Sequence, residues 1–248
     1  MSHKPFLSVI IPAFNEATRL PRSLERITAH LEGSGRAYEL VVVDDGSSDG
    51  TAERARGVSG TITVLRNDVN RGKGHAVRRG MLAARGTWRL MTDADLSTPI
   101  EEVERFLEVG KGGADVVIAS RTLPGANIEV HQPWYRENMG RVFNLVVRAL
   151  AVPGIHDTQC GFKLFTRPAA QAVFRLQKLD GFGFDVEILY IAQKLGFGMV
   201  EIPVVWRNVE GSQVRLLSGA RAFLDVLRVL REDAKGSYAT SAQRAAGD

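Results

Sequence analysis

Two aspartates one residue apart, Asp93 and Asp95 in Thr92-Asp93-Ala94-Asp95-Leu96-Ser97, directly follow the apolar, strand-like run Trp88-Arg89-Leu90-Met91. Successive side chains of a strand point to opposite faces, so the two carboxylates would share a face if the strand persists through them. At the C-terminal end of a parallel strand they would stand where open α/β sheets bind ligands. Hard oxygen donors of this kind suit Mg²⁺ or Mn²⁺, which take one or two carboxylates and complete their shell with substrate phosphate. An Asp-x-Asp alone is equally at home in a solvated turn, and its weight comes from its neighbours.

Two similar strand ends lie upstream. Leu7-Ser8-Val9-Ile10-Ile11 runs into Pro12-Ala13-Phe14-Asn15-Glu16, and Leu40-Val41-Val42-Val43 runs into Asp44-Asp45-Gly46-Ser47-Ser48-Asp49-Gly50-Thr51. Each is a buried-strand pattern broken by polar turn residues and followed by a helical pattern. Leu20, Leu24, Ile27 and Leu31 recur at helical spacing before Gly33 supplies a stop. A capping Asp49 or Ser48 accounts for one acid of the second turn but not for Asp44 and Asp45 as well. Further on, Asn70-Arg71-Gly72-Lys73-Gly74-His75 is a glycine-flanked basic turn opening a helix, suited to approach by a diphosphate. It lacks P-loop spacing, and no Rossmann glycine fingerprint is present. His75 reads as structural, and Cys160 with Gly161-Phe162 as a tight packed corner rather than a nucleophile.

The elements that must position these groups alternate. Strand patterns fall at 7–11, 40–43, 61–65, 88–92 and 115–119, with helical stretches near 19–32, 49–56, 74–85 and 100–111. This order predicts a single doubly wound, mostly parallel α/β sheet. Beyond Ser120 the pattern predicts a helix at 134–151, a strand at 162–166, a helix at 184–195, a strand at 199–206 and a helix at 216–232. One domain over 1–232 is expected, with a disordered tail at 233–248, where Ala, Ser and Gly predominate without periodicity.

Composition narrows the class. The chain has 248 residues, of which 44% are hydrophobic, enough for one sizeable core. A lone cysteine excludes a disulfide framework and a cysteine-rich metal site. The amino-terminal apolar run is too short for a signal peptide, and no window reaches membrane-span length. The net charge of +4 suits a phosphate-bearing substrate or an anionic membrane surface.

Pro12–Glu16, Val43-Asp44-Asp45-Gly46-Ser47, Asn70–Gly74 and Asp93-Ala94-Asp95 together resemble the ordered signature of glycosyltransferase family 2, over roughly residues 7–232. The run Asp157-Thr158-Gln159-Cys160-Gly161-Phe162-Lys163-Leu164-Phe165 is similar to the polyprenyl-phosphate branch, nearer its dolichyl-phosphate β-glucosyltransferases than its mannosyl enzymes. The resemblance implies a nucleotide-diphospho-sugar transferase architecture and inverting transfer, with UDP-glucose as donor and a polyprenyl monophosphate as acceptor. It further implies that Asp93 and Asp95 hold Mg²⁺ or Mn²⁺ against the donor diphosphate. Asp44 or Asp45 would contact base or ribose, with Pro12, Phe14 and Glu16 closing the nucleotide pocket and Lys73 and Arg207 serving the donor phosphates. Arg121 and Arg136 would hold the lipid phosphate, and Asp157 would orient the acceptor or act as a base. The family usually reads Gly-Ser-Lys after the arginine matching Arg207; here Gly211-Ser212-Gln213 loses a positive charge.

Many relatives in that branch carry membrane helices, so this chain is expected to meet its acceptor as a peripheral protein at the cytoplasmic face of the membrane. The amphipathic 134–151 stretch, with Trp134, Phe143, Arg136, Arg141 and Arg148, is the expected contact, though packing on its own sheet would give a similar stripe. Two rivals remain. A soluble hydroxyl acceptor would demand a carboxylate base, Asp157 or Asp185. A non-catalytic nucleotide- or nucleic-acid-binding module would need a basic patch interleaved with aromatics, whereas the arginines here are scattered.

Overall fold

The computed structural model describes residues 4–130, 134–209 and 218–239; the side chains of residues 134–137, 141 and 218–222 are not described. In chain order the elements are β1 (Leu7–Ala13), α1 (Leu20–Gly33), β2 (Tyr38–Asp44), α2 (Thr51–Val58), β3 (Ile62–Arg66), α3 (Lys73–Ala83), β4 (Trp88–Met91), α4 (Val103–Lys111) and β5 (Val116–Ser120). There follow β6 (Asn127–Val130), α5 (Trp134–Leu150), β7 (Lys163–Thr166), α6 (Arg167–Leu176), α7 (Phe184–Lys194), β8 (Met199–Pro203), β9 (Val205–Arg207) and α8 (Ser218–Ala234).

Seven strands form one sheet in the order β3-β2-β1-β4-β7-β5-β8. All pairs are parallel except those of β7, which runs antiparallel to both β4 and β5. Strands covered on both faces read as unbroken apolar runs. Here Ile10, Val41, Met91, Ile118 and Phe165 pack on one side with residues of α3, α6 and α7. Val9, Val42, Leu90, Val117 and Leu164 face the other side with residues of α1 and α4. The expected mostly parallel α/β sheet is therefore present, with one reversed strand near its middle.

Three expectations change. The 199–206 strand is two strands, because β9 leaves the main sheet after Pro203 and pairs with β6 in a small parallel sheet. Helix α6 was not anticipated, although Thr166 accepts the Ala169 N–H and Pro168 sits in the first turn, both start signals. The tail does not begin at 233: α8 runs to Ala234, and Tyr238 is fully buried, donating from its hydroxyl to Glu187 Oε1 at 2.7 Å. One buried aromatic gives no periodicity, so composition alone misreads it. Residues 240–248 lie outside the described residues.

Candidate active site

The carboxyl ends of β1, β2, β4 and β5 lie along one edge of the sheet, and Asp44, Asp45, Asp93, Asp95 and Arg121 follow them there. The loops after β1 and β2 are stitched together. Asn15 N–H donates to Ser47 Oγ (2.9 Å), Glu16 N–H to Thr51 Oγ1 (2.8 Å), Ala17 N–H to Asp49 Oδ2 (3.0 Å), and Ser48 N–H to Asn15 Oδ1 (3.1 Å). Asp49 also accepts the Thr51 N–H at the start of α2, although the N-cap position itself is Gly50, not Asp49 or Ser48 as expected. Pro12 belongs to β1 and is buried against Val43, so only the residues after Ala13 form a loop. Phe14 is half-buried, and the Glu16 carboxylate grips the Arg19 guanidinium at 2.6 and 2.8 Å.

The two acids after β2 have different work. Asp45 accepts from Asn67 Nδ2 (2.5 Å), Arg71 N (3.1 Å) and Gly72 N (2.7 Å). It anchors the basic turn and has little capacity left for a nucleotide, so Asp45 is corrected to a structural role. Asp44 is fully buried. Its Oδ1 accepts the Ser47 N–H at 3.0 Å, while Oδ2 has no hydrogen-bond donor among the described residues, only Arg66 Nε at 3.4 Å. A buried acceptor without a hydrogen-bond donor is unusual, and Arg66 is its one ion-pair partner among the described residues.

Strand β4 ends at Met91, so the alternation argument for the acidic pair fails in detail. Asp93–Ser97 is a tight turn instead, with Leu96 N–H on Asp93 O (3.2 Å), Ser97 N–H on Asp95 Oδ1 (3.0 Å) and Leu96 at φ 50°. A positive φ at leucine is strained backbone held by its surroundings. The pair is nonetheless electrostatically linked. Burial, then the Asp93 charge, pushes the Asp95 carboxyl up. Burial would also raise Asp93, but Lys73 above all pulls it down, with its Nζ 2.6 Å from Asp93 Oδ1. Lys73 in turn is held charged: burial works against it, and Asp93, Asp185 and Asp95 prevail.

Gly161, two residues before β7, closes on Asp93. A Cβ there would run into the carboxylate, 2.5 Å from Cγ and 2.7 Å from Oδ1. Gly161→Ala is expected to destabilise the fold by about 1–3 kcal/mol through overpacking. An unchanged melting temperature would show that the corner has room.

Arg121, just beyond β5, forms a fork on Asp157, Nε to Oδ2 at 2.7 Å and Nη2 to Oδ1 at 2.9 Å, and adds its backbone N–H at 3.0 Å. Its guanidinium carbon lies 5.5 Å from the centre of the Trp206 ring. Asp157 is fully buried; burial would raise its carboxyl, but Arg121 holds it below the ordinary range. Its carboxylate is taken up by Arg121, which leaves it poorly placed to accept a proton or to reach an acceptor directly. Asp185 is likewise buried and paired, with Lys163. Cys160 is buried and its thiol is pushed up by that burial, which disfavours a nucleophilic thiolate.

Arg207 sits on β9, exposed, with its guanidinium on Glu129. Arg136 lies in the first turn of α5, and its side chain is outside the described residues, as is that of Arg141; Gly211-Ser212-Gln213 is outside them entirely. Residues that sequence reasoning missed include Lys163, signalled only as a charge within an apolar strand, and Glu201, which accepts the Asp157 N–H at 2.7 Å and so fixes that loop. Among the described residues no three His, Cys, Asp or Glu side chains form a metal cluster. The Asp93–Asp95 pair remains a set of hard oxygens, matched to an ion that completes its shell from a ligand.

An open α/β sheet with paired acids at one strand end and a forked arginine at another is the framework of a ligand-binding α/β domain. The model of glycosyl transferase family 2 matches residues 8–174, and the chain belongs to that family. It is 37% identical over 240 residues to a dolichyl-phosphate β-glucosyltransferase of Dictyostelium discoideum, covering 90% of this chain and 73% of that one. The Homo sapiens protein described in the same words is 37% identical over 224 residues, covering 84% and 69%. Among solved structures, mannosyl-3-phosphoglycerate synthase from Rubrobacter xylanophilus superimposes with a TM-score of 0.68 at 23% identity, covering 96% of this chain and 77% of that one. Glucosyl-3-phosphoglycerate synthase from Mycobacterium tuberculosis, in complex with Mn²⁺, UDP and phosphoglyceric acid, gives 0.68 at 21%, covering 91% and 78%. At these identities the two structures speak for the fold.

Proposed function

We propose that this glycosyltransferase moves glucose from UDP-glucose, with inversion, onto a polyprenyl monophosphate of the dolichyl type. The observation carrying the reading is the 37% identity to dolichyl-phosphate β-glucosyltransferases across 90% of the chain. Asp44 Oδ2 would accept a hydrogen bond from the base or ribose. Asp93 and Asp95 would hold Mg²⁺ or Mn²⁺, whose charge would offset that developing on the UDP leaving group. Lys73, already against Asp93, stands ready for the diphosphate. Arg121, oriented by Asp157, would fork onto the acceptor phosphate, with Arg136 beside it.

A non-bridging phosphate oxygen of the lipid attacks C1 of glucose, the C1–O bond to UDP breaks, and UDP departs. A phosphate monoester has its second pKa near ~6 and is largely a dianion at neutral pH, so no general base is required. The pairing of Asp157 and Asp185 favours this acceptor over a hydroxyl, since neither carboxylate is free to take a proton. Purified protein with Mn²⁺ and radiolabelled UDP-glucose should label polyprenyl phosphate and not soluble glycans; the reverse result would replace this acceptor with the hydroxyl class.

Among the described residues no helix is long and apolar enough to cross a membrane. Peripheral contact is supported by an apolar face shared by α5 and α8, which are joined by the edge-to-face Phe143–Phe223 pair at 5.4 Å. Val142, Leu145, Leu224 and Leu227 are exposed there, whereas Phe143 is buried and unavailable to lipid. Basic groups near an anionic surface contribute about 1 kcal/mol each, and Arg228 and Arg231 on α8 are suitably exposed. Co-sedimentation with anionic liposomes should decline steeply with salt, and Leu145→Asp with Leu224→Asp should abolish it without lowering the melting temperature. Retention of binding by that variant would move the contact elsewhere.

A further inference from the structure

The reversed strand β7 carries a buried cation that the transfer reaction described above does not use. Lys163 is wholly inaccessible to solvent. Its ammonium donates to the Cys160 carbonyl at 2.7 Å and pairs with Asp185 in the first turn of α7. In register Lys163 lies opposite Met91 of β4 on one side and Ile118 of β5 on the other. It therefore sits two residues short of Asp93 and three short of Arg121, in the strand that separates them.

The bonds it makes reach both halves of the site. Holding the Cys160 carbonyl fixes the corner whose next residue, Gly161, lies against the Asp93 carboxylate. The same short segment begins at Asp157, which forks onto Arg121. Asp185 is preceded by Phe184, whose ring centre is 6.0 Å from Lys73 Nζ, itself on Asp93. Loss of one partner of a buried pair leaves an uncompensated charge, whereas loss of both charges together is often tolerated by the fold. A buried pair of this kind, joining β7 to α7, is therefore weak evidence for a role in net stability.

We propose that the Lys163–Asp185 pair is a positioning element that sets the separation between the donor side, at Asp93, and the acceptor side, at Arg121–Asp157. The inference rests on the polyprenyl-phosphate reading for its assay. Each substrate then binds alone as in the wild type, while reaction of the two together depends on the pair.

The test compares Lys163→Met with Asp185→Asn as a double variant, and Asp185→Asn alone as a nearly isosteric change that keeps an oxygen toward Lys163. The double variant should melt within a few degrees of the wild type. Its UDP-glucose Kd and acceptor KM should stay within about threefold, with kcat falling about 100-fold or more; Asp185→Asn should lose about 10-fold in kcat with the same unaltered binding. A role in stability alone predicts the opposite split, a lower melting temperature with normal kcat in the folded fraction. Normal kcat in Asp185→Asn overturns the proposal even if the double variant fails to fold. Wild-type protein inert toward polyprenyl phosphate would count against the acceptor assignment alone. In that event amide exchange across residues 157–163 decides, because unchanged protection in Asp185→Asn overturns the positioning role.

Discussion

Asp95→Asn should reduce glucosyl transfer by about 10³-fold, or about 4 kcal/mol, while the protein folds as well as before. The rate loss follows from the several kcal/mol of charge stabilisation that a bound divalent ion supplies, and from the weaker coordination offered by a neutral amide. The fold is spared for a separate reason. Burial and the neighbouring Asp93 raise the Asp95 carboxyl, so its ionised form opposes folding at neutral pH, and that penalty fades as pH falls through the raised value. An amide removes the repulsion and keeps an oxygen for the Ser97 N–H. Turnover measured against Mn²⁺ concentration, with a thermal melt alongside, separates the two effects. Near-normal turnover at saturating metal would dismiss Asp95 as a ligand.

Arg121→Ala should be damaging twice over. The acceptor loses a charge-assisted fork, about 2–5 kcal/mol for truncating one side of a buried charged pair, while UDP-glucose affinity stays unchanged. The fold also loses the counter-ion of a fully buried Asp157, which breaks a buried pair at a cost of about 3–5 kcal/mol. Arg121 holds the Asp157 carboxyl below its ordinary range, so this contribution is complete above that range and is lost as pH falls through the depressed value. Wild type and variant should therefore differ most near neutrality and converge in acid. Arg121→Lys keeps the charge but not the fork, and should fall between them. Calorimetry of the donor alongside acceptor kinetics is the check; equal loss of both substrates would place Arg121 on the donor side.

The first half of the chain was legible because each strand is covered on both faces and each helix follows its strand directly. Leu40–Val43 and Leu7–Ile11 could be read as buried strands without knowing their partners, and their polar ends marked the site edge. The second half was less so. The direction of β7 is set by pairing between Lys163–Thr166 and two strands distant in sequence, and no local pattern records it. Candidate site residues stand out where their type is unusual for a strand end, as at Asp93, Asp95 and Arg121. How their charges are divided was not legible: Asp44 and Asp45 are identical neighbours, and only the Asn67 and 71–72 donors, folded back onto Asp45, distinguish the anchored acid from the open one. Lys163 was passed over because a lysine in a short apolar run reads as an edge residue until Asp185 is brought to it.

The reversed strand also bears on how such a protein can diversify. Since β7 enters the sheet against the direction of β5, the excursion from residue 121 to residue 162 departs and returns at neighbouring points, with Ile118 paired to Lys163. Lengthening a segment whose ends already meet adds only a slowly growing closure entropy. That excursion carries Arg121, helix α5, Asp157 and Gly161, whereas the loops proposed to meet the nucleotide belong to β1, β2 and β4. Under the proposed reading, one stretch of chain can thus be exchanged as a cassette, changing what receives the sugar while the chassis that would handle the nucleotide is inherited intact.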